Sequence, residues 1–415
     1  MFSSFIFTFA NFFQPGVFWP ELADYKPMQI IAMAALFASL GRSASHSRME
    51  ALRHPALKWM LIFLFVQVLS VYRTGIGGMI TEFGVWSVYA LFALVSVRIV
   101  TDPARLRRYI WGMMVGTTWI VVWGIYAVHA GLEGANGGRA GAYGMYENHN
   151  DYSFIIVQTL PYFYVYWRTE TGFLRRLFLL ASVLLCIVGI FLSLSRGGMI
   201  ALVLEIVLIV VLTMGPRARV VILPVVLAFG GAAVSYQYMA RAANQGEGYT
   251  AEDAESSRFE LWESGLHMIE SHPFLGVGSR SFGEHSTEYG EISHDNLGKN
   301  AHNTFIEVTA TTGLFGALSF IAMLVGAIRE MRKPTGHLAS PWEENTRKAT
   351  LIAILTICFR ALFDAKSWDW SFYILATIAA MSGAMMQSRR APIDDHVDDV
   401  DRVPPALAAN NKLKT

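Results

Sequence analysis

The stretch AHNTFIEVTATTGLFG, residues 301–316, sets an imidazole, His302, beside Asn303, a residue type that caps helices well, at the threshold of an apolar run. If a helix starts near Asn303, its 100° per residue brings His302, Ile306, Thr309, Gly313 and Gly316 within about 40° of one line. That stripe carries an ionisable ring at one end and small residues farther along, which let a neighbouring helix approach closely and would hold the ring rigidly. Imidazole changes charge near neutral pH, so the chemistry at stake is proton transfer. The competing role is a capping histidine on a glycine-lined packing helix, which periodicity alone favours. Guanidinium groups present a planar fork to phosphate oxygens. One stands at Arg196 in SLSRGGM; Arg258 and Arg280 flank a helix-like segment in SSRFELWESGLHMIESHPFLGVGSRSF, residues 256–282. Taken singly, each reads as an ordinary interfacial arginine. Asn148, His149 and Asn150 are of types that hydrogen-bond sugar or phosphate, but NHND is also an ordinary helix-start turn, the preferred reading here.

Other chemistries find little footing. His267, His272, His285, His294 and His302 lie close in sequence but form no HExxH, no i, i+4 histidine pair and no pairing with cysteine, so no metal site is expected. Gly276, Gly278 and Gly283 do not make GxGxxG, and no strand pattern precedes them. Cys186 and Cys358 sit in apolar runs, which excludes a disulfide framework and leaves them as packing residues.

The elements that must position these groups are membrane helices. Of the 415 residues 53% are hydrophobic and 16% charged, against roughly 25% charged in soluble domains. A net charge of +1 gives no general pull toward nucleic acid. Apolar stretches able to approach or cross a ~30 Å hydrocarbon layer recur near 3–19, 27–41, 56–72, 79–97, 109–130, 153–167, 177–195, 197–214, 219–239, 303–328, 349–364 and 368–387. The expected fold class is therefore all-α, a polytopic membrane protein with about twelve transmembrane helices and one large outer loop. The N-terminus has no Lys or Arg before Lys26 and no small-residue cleavage signal, so it reads as a retained first span, bent or re-entrant at Pro15.

Loops at 41–58, 98–108, 168–176, 215–219 and 329–348, with the tail after 388, hold 23 of the 33 Lys and Arg residues. By the positive-inside rule both termini are then cytoplasmic, and residues 131–152 and 240–302 face outward. The domain organisation expected is an N-terminal bundle of about nine helices over 1–239 and an outer loop with amphipathic helices over 240–302. About three helices over 303–390 and a disordered cytoplasmic tail over 391–415 complete it. The 38-residue run 177–214 is too long for one span and must fold back at SLSRGGM, with Gly197–Gly198 supplying the reversal and Arg196 left at the outer edge. Phe259, Trp262, Leu266 and Ile269 or Met268 predict an amphipathic helix over 257–271, lying along the membrane surface and stopped by Pro273. Glu205 is expected to be satisfied by a neighbouring helix, and Arg360 with Asp364 to form a structural ion pair.

HNTFIEVTATTGLFG fits the pattern H-N-x9-G-x-x-G. With SLSRGG at 193–198, RFELWESGLHMIESHPFLGVG at 258–278 and ENHNDYS at 147–153, it resembles the bacterial O-antigen ligases and, more loosely, the O-antigen polymerases, over most of residues 1–390. The resemblance implies a metal-independent, cofactor-free, inverting glycosyltransferase of the bacterial inner membrane, working at the periplasmic face. Its donor would be a glycan on undecaprenyl pyrophosphate; its acceptor would be lipid A–core for a ligase, or a second lipid-linked repeat for a polymerase. By the same resemblance His302 corresponds to the base, and Arg196 and Arg258 to arginines near the lipid pyrophosphate. Arg280, Asn303, Asn148 and Asn150 are further candidate substrate contacts. A transporter or flippase for lipid-linked sugars would share the many spans, but the repeated halves usual in such folds have no counterpart in this sequence.

Overall fold

The computed structural model describes residues 4–19, 21, 27–40, 46–132, 138–244, 251–334 and 339–390. Among them the chain forms sixteen α-helices and no strand, in agreement with the all-α expectation. In order these are α1 (Ser4–Phe13), α2 (Pro15–Phe18), α3 (Pro27–Leu40), α4 (His46–Arg53), α5 (Pro55–Ser70), α6 (Gly75–Ile99), α7 (Pro103–Ala130) and α8 (His149–Thr169). There follow α9 (Phe173–Ser193), α10 (Arg196–Thr213), α11 (Pro216–Asn244), α12 (Ala251–Ser271), α13 (Phe282–Tyr289), α14 (Thr304–Arg332), α15 (Pro341–Arg360) and α16 (Trp370–Arg390).

Each of the twelve apolar stretches falls largely within helix, but among the described residues only α6, α7, α9, α10, α11 and α14 are long and apolar enough to cross a membrane; α1 and α5 are apolar but shorter. The expected total of about twelve spans is not reproduced by that measure. The difference has a physical origin in α8 and α15, whose polar first turns shorten their apolar windows. From Tyr152 to Phe163 every residue of α8 is buried, so other helices and not lipid set its composition. It packs against α7, α9, α10 and α15, while α14 lies along α5 and α16 reaches α4 and α5. One core thus joins early and late helices: the Phe63 and Phe320 rings lie 5.1 Å apart, and those of Phe320 and Phe372 5.2 Å.

Four local expectations need correction. The reversal between α9 and α10 is made by Leu194, at φ 48°, and by Ser195, whose Oγ accepts from Gly198 N at 3.2 Å; Gly197 and Gly198 are already helical. Gly198 serves close approach instead, because a Cβ there would lie 2.8 Å from the Ser153 Cβ on α8. Glu205 is fully buried, and neither carboxyl oxygen has a hydrogen-bond partner among the described residues. The amphipathic helix α12 begins at Ala251 and turns Leu261, Ser264 and Met268 inward, leaving Phe259 and Leu266 more than half exposed. The helix therefore starts earlier than the expected residue 257, ends at the expected Ser271, and keeps Phe259 and Leu266 outward as a helix lying on a membrane surface would.

The fourth correction concerns α14. Gly313, at φ 65° and ψ −166°, breaks the helix, so the small-residue stripe is not one straight line. Pro273–Gly278 fills the break. Val277 N and Gly278 N donate to Ala310 O and Thr311 O at 3.0 Å each, while Leu314 N and Phe315 N donate to Pro273 O at 2.7 Å and Phe274 O at 3.4 Å. The freed backbone groups of a broken helix are costly in an apolar setting unless protein satisfies them. Two glycines permit the fit: a Cβ on Gly313 would lie 2.2 Å from the Phe274 carbonyl carbon, and one on Gly276, at φ 68°, 2.3 Å from that of Thr311.

Candidate functional site

His302 precedes the first turn of α14 with φ 50°, a left-handed conformation that a non-glycine residue adopts only where its surroundings enforce it. The enforcing contacts lie on both sides. Trp262 Nε1 of α12 donates to Ala301 O at 2.8 Å, and Asn303 Oδ1 accepts from Phe305 N and Ile306 N at 3.0 and 3.1 Å, closing the helix N-terminus. Thr304 then stitches the turn to the segment after α15. Its N–H donates to Ala361 O at 2.8 Å, its hydroxyl donates to Asp364 O at 2.6 Å, and the same hydroxyl accepts from Lys366 N at 2.9 Å.

The ring thereby stands among charges drawn from three parts of the chain. Burial pushes the His302 pKa below the usual imidazole range; Asp364 opposes that, while Arg258, Lys299 and Lys366 reinforce it. The direction favours the neutral ring, the form able to accept a proton. Lys366 is nearly fully buried and ion-paired with Asp151 and, at 3.8 Å, with Asp364. Burial alone would lower its pKa, but Asp364, Asp151 and Asp369 together raise it and keep the ammonium charged. Asp369 is pushed up to about 6, chiefly by burial and then by Asp151.

Arg196 opens α10 at the same end of the bundle. Its neighbour Ser195 donates through Oγ to Asn150 Oδ1 at 2.8 Å, and Asn150 O accepts from Arg360 Nη2 at 2.8 Å. Arg360 continues to Asp364 at 3.5 Å, which acts on His302. Asn150 therefore links the α10 N-terminus to the charged cluster. The Arg360 guanidinium is buried, lies 5.1 Å from the Phe154 ring centroid, and leaves Nε and Nη1 without hydrogen-bond partners among the described residues. The pairing expected between Arg360 and Asp364 is present, inside the candidate site.

The remaining candidates have structural engagements. Asn148 caps α8, its Oδ1 accepting from Asn150 N at 2.8 Å. Arg280, at φ 60°, is held by Glu82 of α6 through Nη2 at 2.6 Å and Nε at 3.4 Å, and this hydrogen-bonded pairing raises its pKa. Arg258 is half-buried, with no ion pair among the described residues. Sequence reasoning missed Lys366, Asp151 and Asp369. The available signal was FDAKSWDW at 363–370, with three ionisable groups between two apolar runs, where charge is costly unless it is used. Among the described residues no three His, Cys, Asp or Glu side chains converge as metal ligands would.

Comparison with known proteins adds one finding. Residues 181–321 match the family model described as O-Antigen ligase, a span that runs from α9 through α12 to the middle of α14 and includes Arg196, Arg258, Arg280, His302 and Asn303. No curated protein matches the chain.

Proposed function

The match over residues 181–321 supports the O-antigen ligase superfamily for this protein, a membrane enzyme of the O-antigen ligase and polymerase type, and on that premise we propose that it transfers a glycan from undecaprenyl pyrophosphate to an acceptor hydroxyl at the periplasmic face. The preferred acceptor is lipid A–core. A sugar hydroxyl is a weak nucleophile, so His302 takes its proton as the oxygen attacks the anomeric carbon. The new C–O bond forms as the bond from that carbon to the pyrophosphate oxygen breaks on the opposite face, which inverts the configuration. Undecaprenyl pyrophosphate departs with the bonding electron pair, and the proton passes from His302 to water. Arg196 and Arg258 hold the pyrophosphate oxygens and stabilise the charge that accumulates there, without a metal ion; beside a low-dielectric lipid slab such fixed cations act strongly.

The observation that carries this reading is the bonded path that runs from Ser195, beside Arg196, through Asn150 and Arg360 to Asp364, whose carbonyl accepts from Thr304 two residues after His302. Asp364 and Lys366 act as positioning groups, since Thr304 ties their backbone to the helix that starts after His302. The test is transfer of a lipid-linked glycan by the purified protein. His302→Ala is expected to lose roughly 10²- to 10⁴-fold in rate. Arg258→Lys should lose activity despite keeping its charge, because an ammonium cannot reproduce the planar fork. Wild-type turnover by a folded His302→Ala protein would defeat the base assignment. Deleting the gene separates the acceptors: bare core with polymer left on its carrier marks a ligase, core with a single repeat a polymerase.

A further inference from the structure

At the end of the bundle opposite His302, α5 begins at Pro55 and α14 runs out at Arg332, and between them opens a cavity of about 250 Å³. Gly326 brings the two helices together there, since a Cβ at that position would lie 3.0 Å from Ala56 N. Beside the contact, Trp59, Ala322 and Val325 form apolar walls. Arg329 follows Gly326 at three-residue spacing on the face of α14 that lines the cavity, and Lys333, the extended residue just past the helix, lines it too.

The polar floor is already neutralised. Glu330 receives His54 Nε2 at 3.1 Å and Lys333 Nζ at 2.5 Å, and both Glu330 and His54 are nearly fully buried. Arg329 is exposed and has neither ion pair nor hydrogen bond among the described residues. The lining thus offers Arg329 and Lys333 against the single carboxylate of Glu330, beside apolar walls and with Trp59, of a type that favours the membrane interface. A soluble anion would gain nothing from those walls. A zwitterionic headgroup would bring its own cation against Arg329.

We propose that this cavity is a binding site for an anionic glycerophospholipid, with the phosphate on Arg329 and Lys333 and the start of an acyl chain along Trp59 and Val325. The site is separate from the glycan-transfer chemistry and does not depend on it. Native mass spectrometry of the full chain in detergent, with phosphatidylglycerol and phosphatidylcholine of matched chains, tests it. Phosphatidylglycerol should be retained roughly fivefold over phosphatidylcholine, the worth of one basic residue near an anionic lipid. Arg329→Gln should remove most of that preference. Ala322→Phe fills the cavity but keeps both cations, and should expel the lipid. Arg217→Gln, at the start of α11 on the same end of the bundle, should change nothing. Equal retention of the two lipids would overturn the proposal. So would an Arg217→Gln loss as large as that of Arg329→Gln, which would mean diffuse surface attraction, or displacement of the lipid by inorganic phosphate with Ala322→Phe unaffected.

Discussion

Around His302 the local charges act in opposite directions, and each can be removed without touching the imidazole. Burial, Arg258, Lys299 and Lys366 favour the neutral ring, and Asp364 favours the cation. A base works in its deprotonated form, so transfer should rise from acid to neutral pH through an apparent pKa below the ordinary imidazole value. Lys299 is exposed, and its Nζ donates to Asn296 Oδ1 at 3.3 Å. Lys299→Gln deletes a charge that disfavours the imidazolium, and the acid limb of the rate profile should move to higher pH. Asp364→Asn should move it to lower pH. Shifts in the same direction for both variants would show that the limb belongs to another group. His302, Arg196 and Arg258 could be named as candidates from the sequence because short motifs carry them. The convergence of Asp151, Arg360, Lys366 and Asp369 was not legible, because it depends on α8, α15 and the segment before α16 meeting in space, and nothing local to any of the four residues reports that.

At the scale of elements, the junction between Pro273–Gly278 and the broken α14 sets what can change. Adding a methyl group at either glycine drives Cβ into backbone, which cannot swing aside as a side-chain tip can, and at a positive φ the new residue is also strained. Gly313→Ala and Gly276→Ala should each destabilise the protein by about 1–3 kcal/mol or more, read as a lowered unfolding temperature in detergent. Gly84→Ala, within α6, is the control: a Cβ there meets nothing within 4 Å, so any cost is that of the helix alone. The break could not be read from residues 303–328. The apolar pattern runs through Gly313 without interruption, and a small residue on a helix face is as well suited to packing as to a kink. What makes it a break is a segment some forty residues upstream, whose amides and carbonyls replace the missing helical hydrogen bonds. Helix existence was legible nearly everywhere, since 3.6-residue apolar patterns and capping residues such as Asp102, Asn148 and Asn303 are local properties.

For the molecule as a whole, two sets of contacts hold the two parts of α14. The nine residues from Thr304 to Thr312 are tied to the segment after α15, the part beyond Gly313 packs on α5, and the inserted loop is hydrogen-bonded to both. A bilayer thinner than the apolar length of a helix is accommodated mainly by tilt. Here the loop acts as a splint across the break, so tilting of the lipid-matched shaft should carry with it the short upper rod that follows the imidazole. Glycan transfer by the reconstituted protein should therefore fall as acyl chains are shortened, and a rate independent of chain length would mean that rod and shaft move separately.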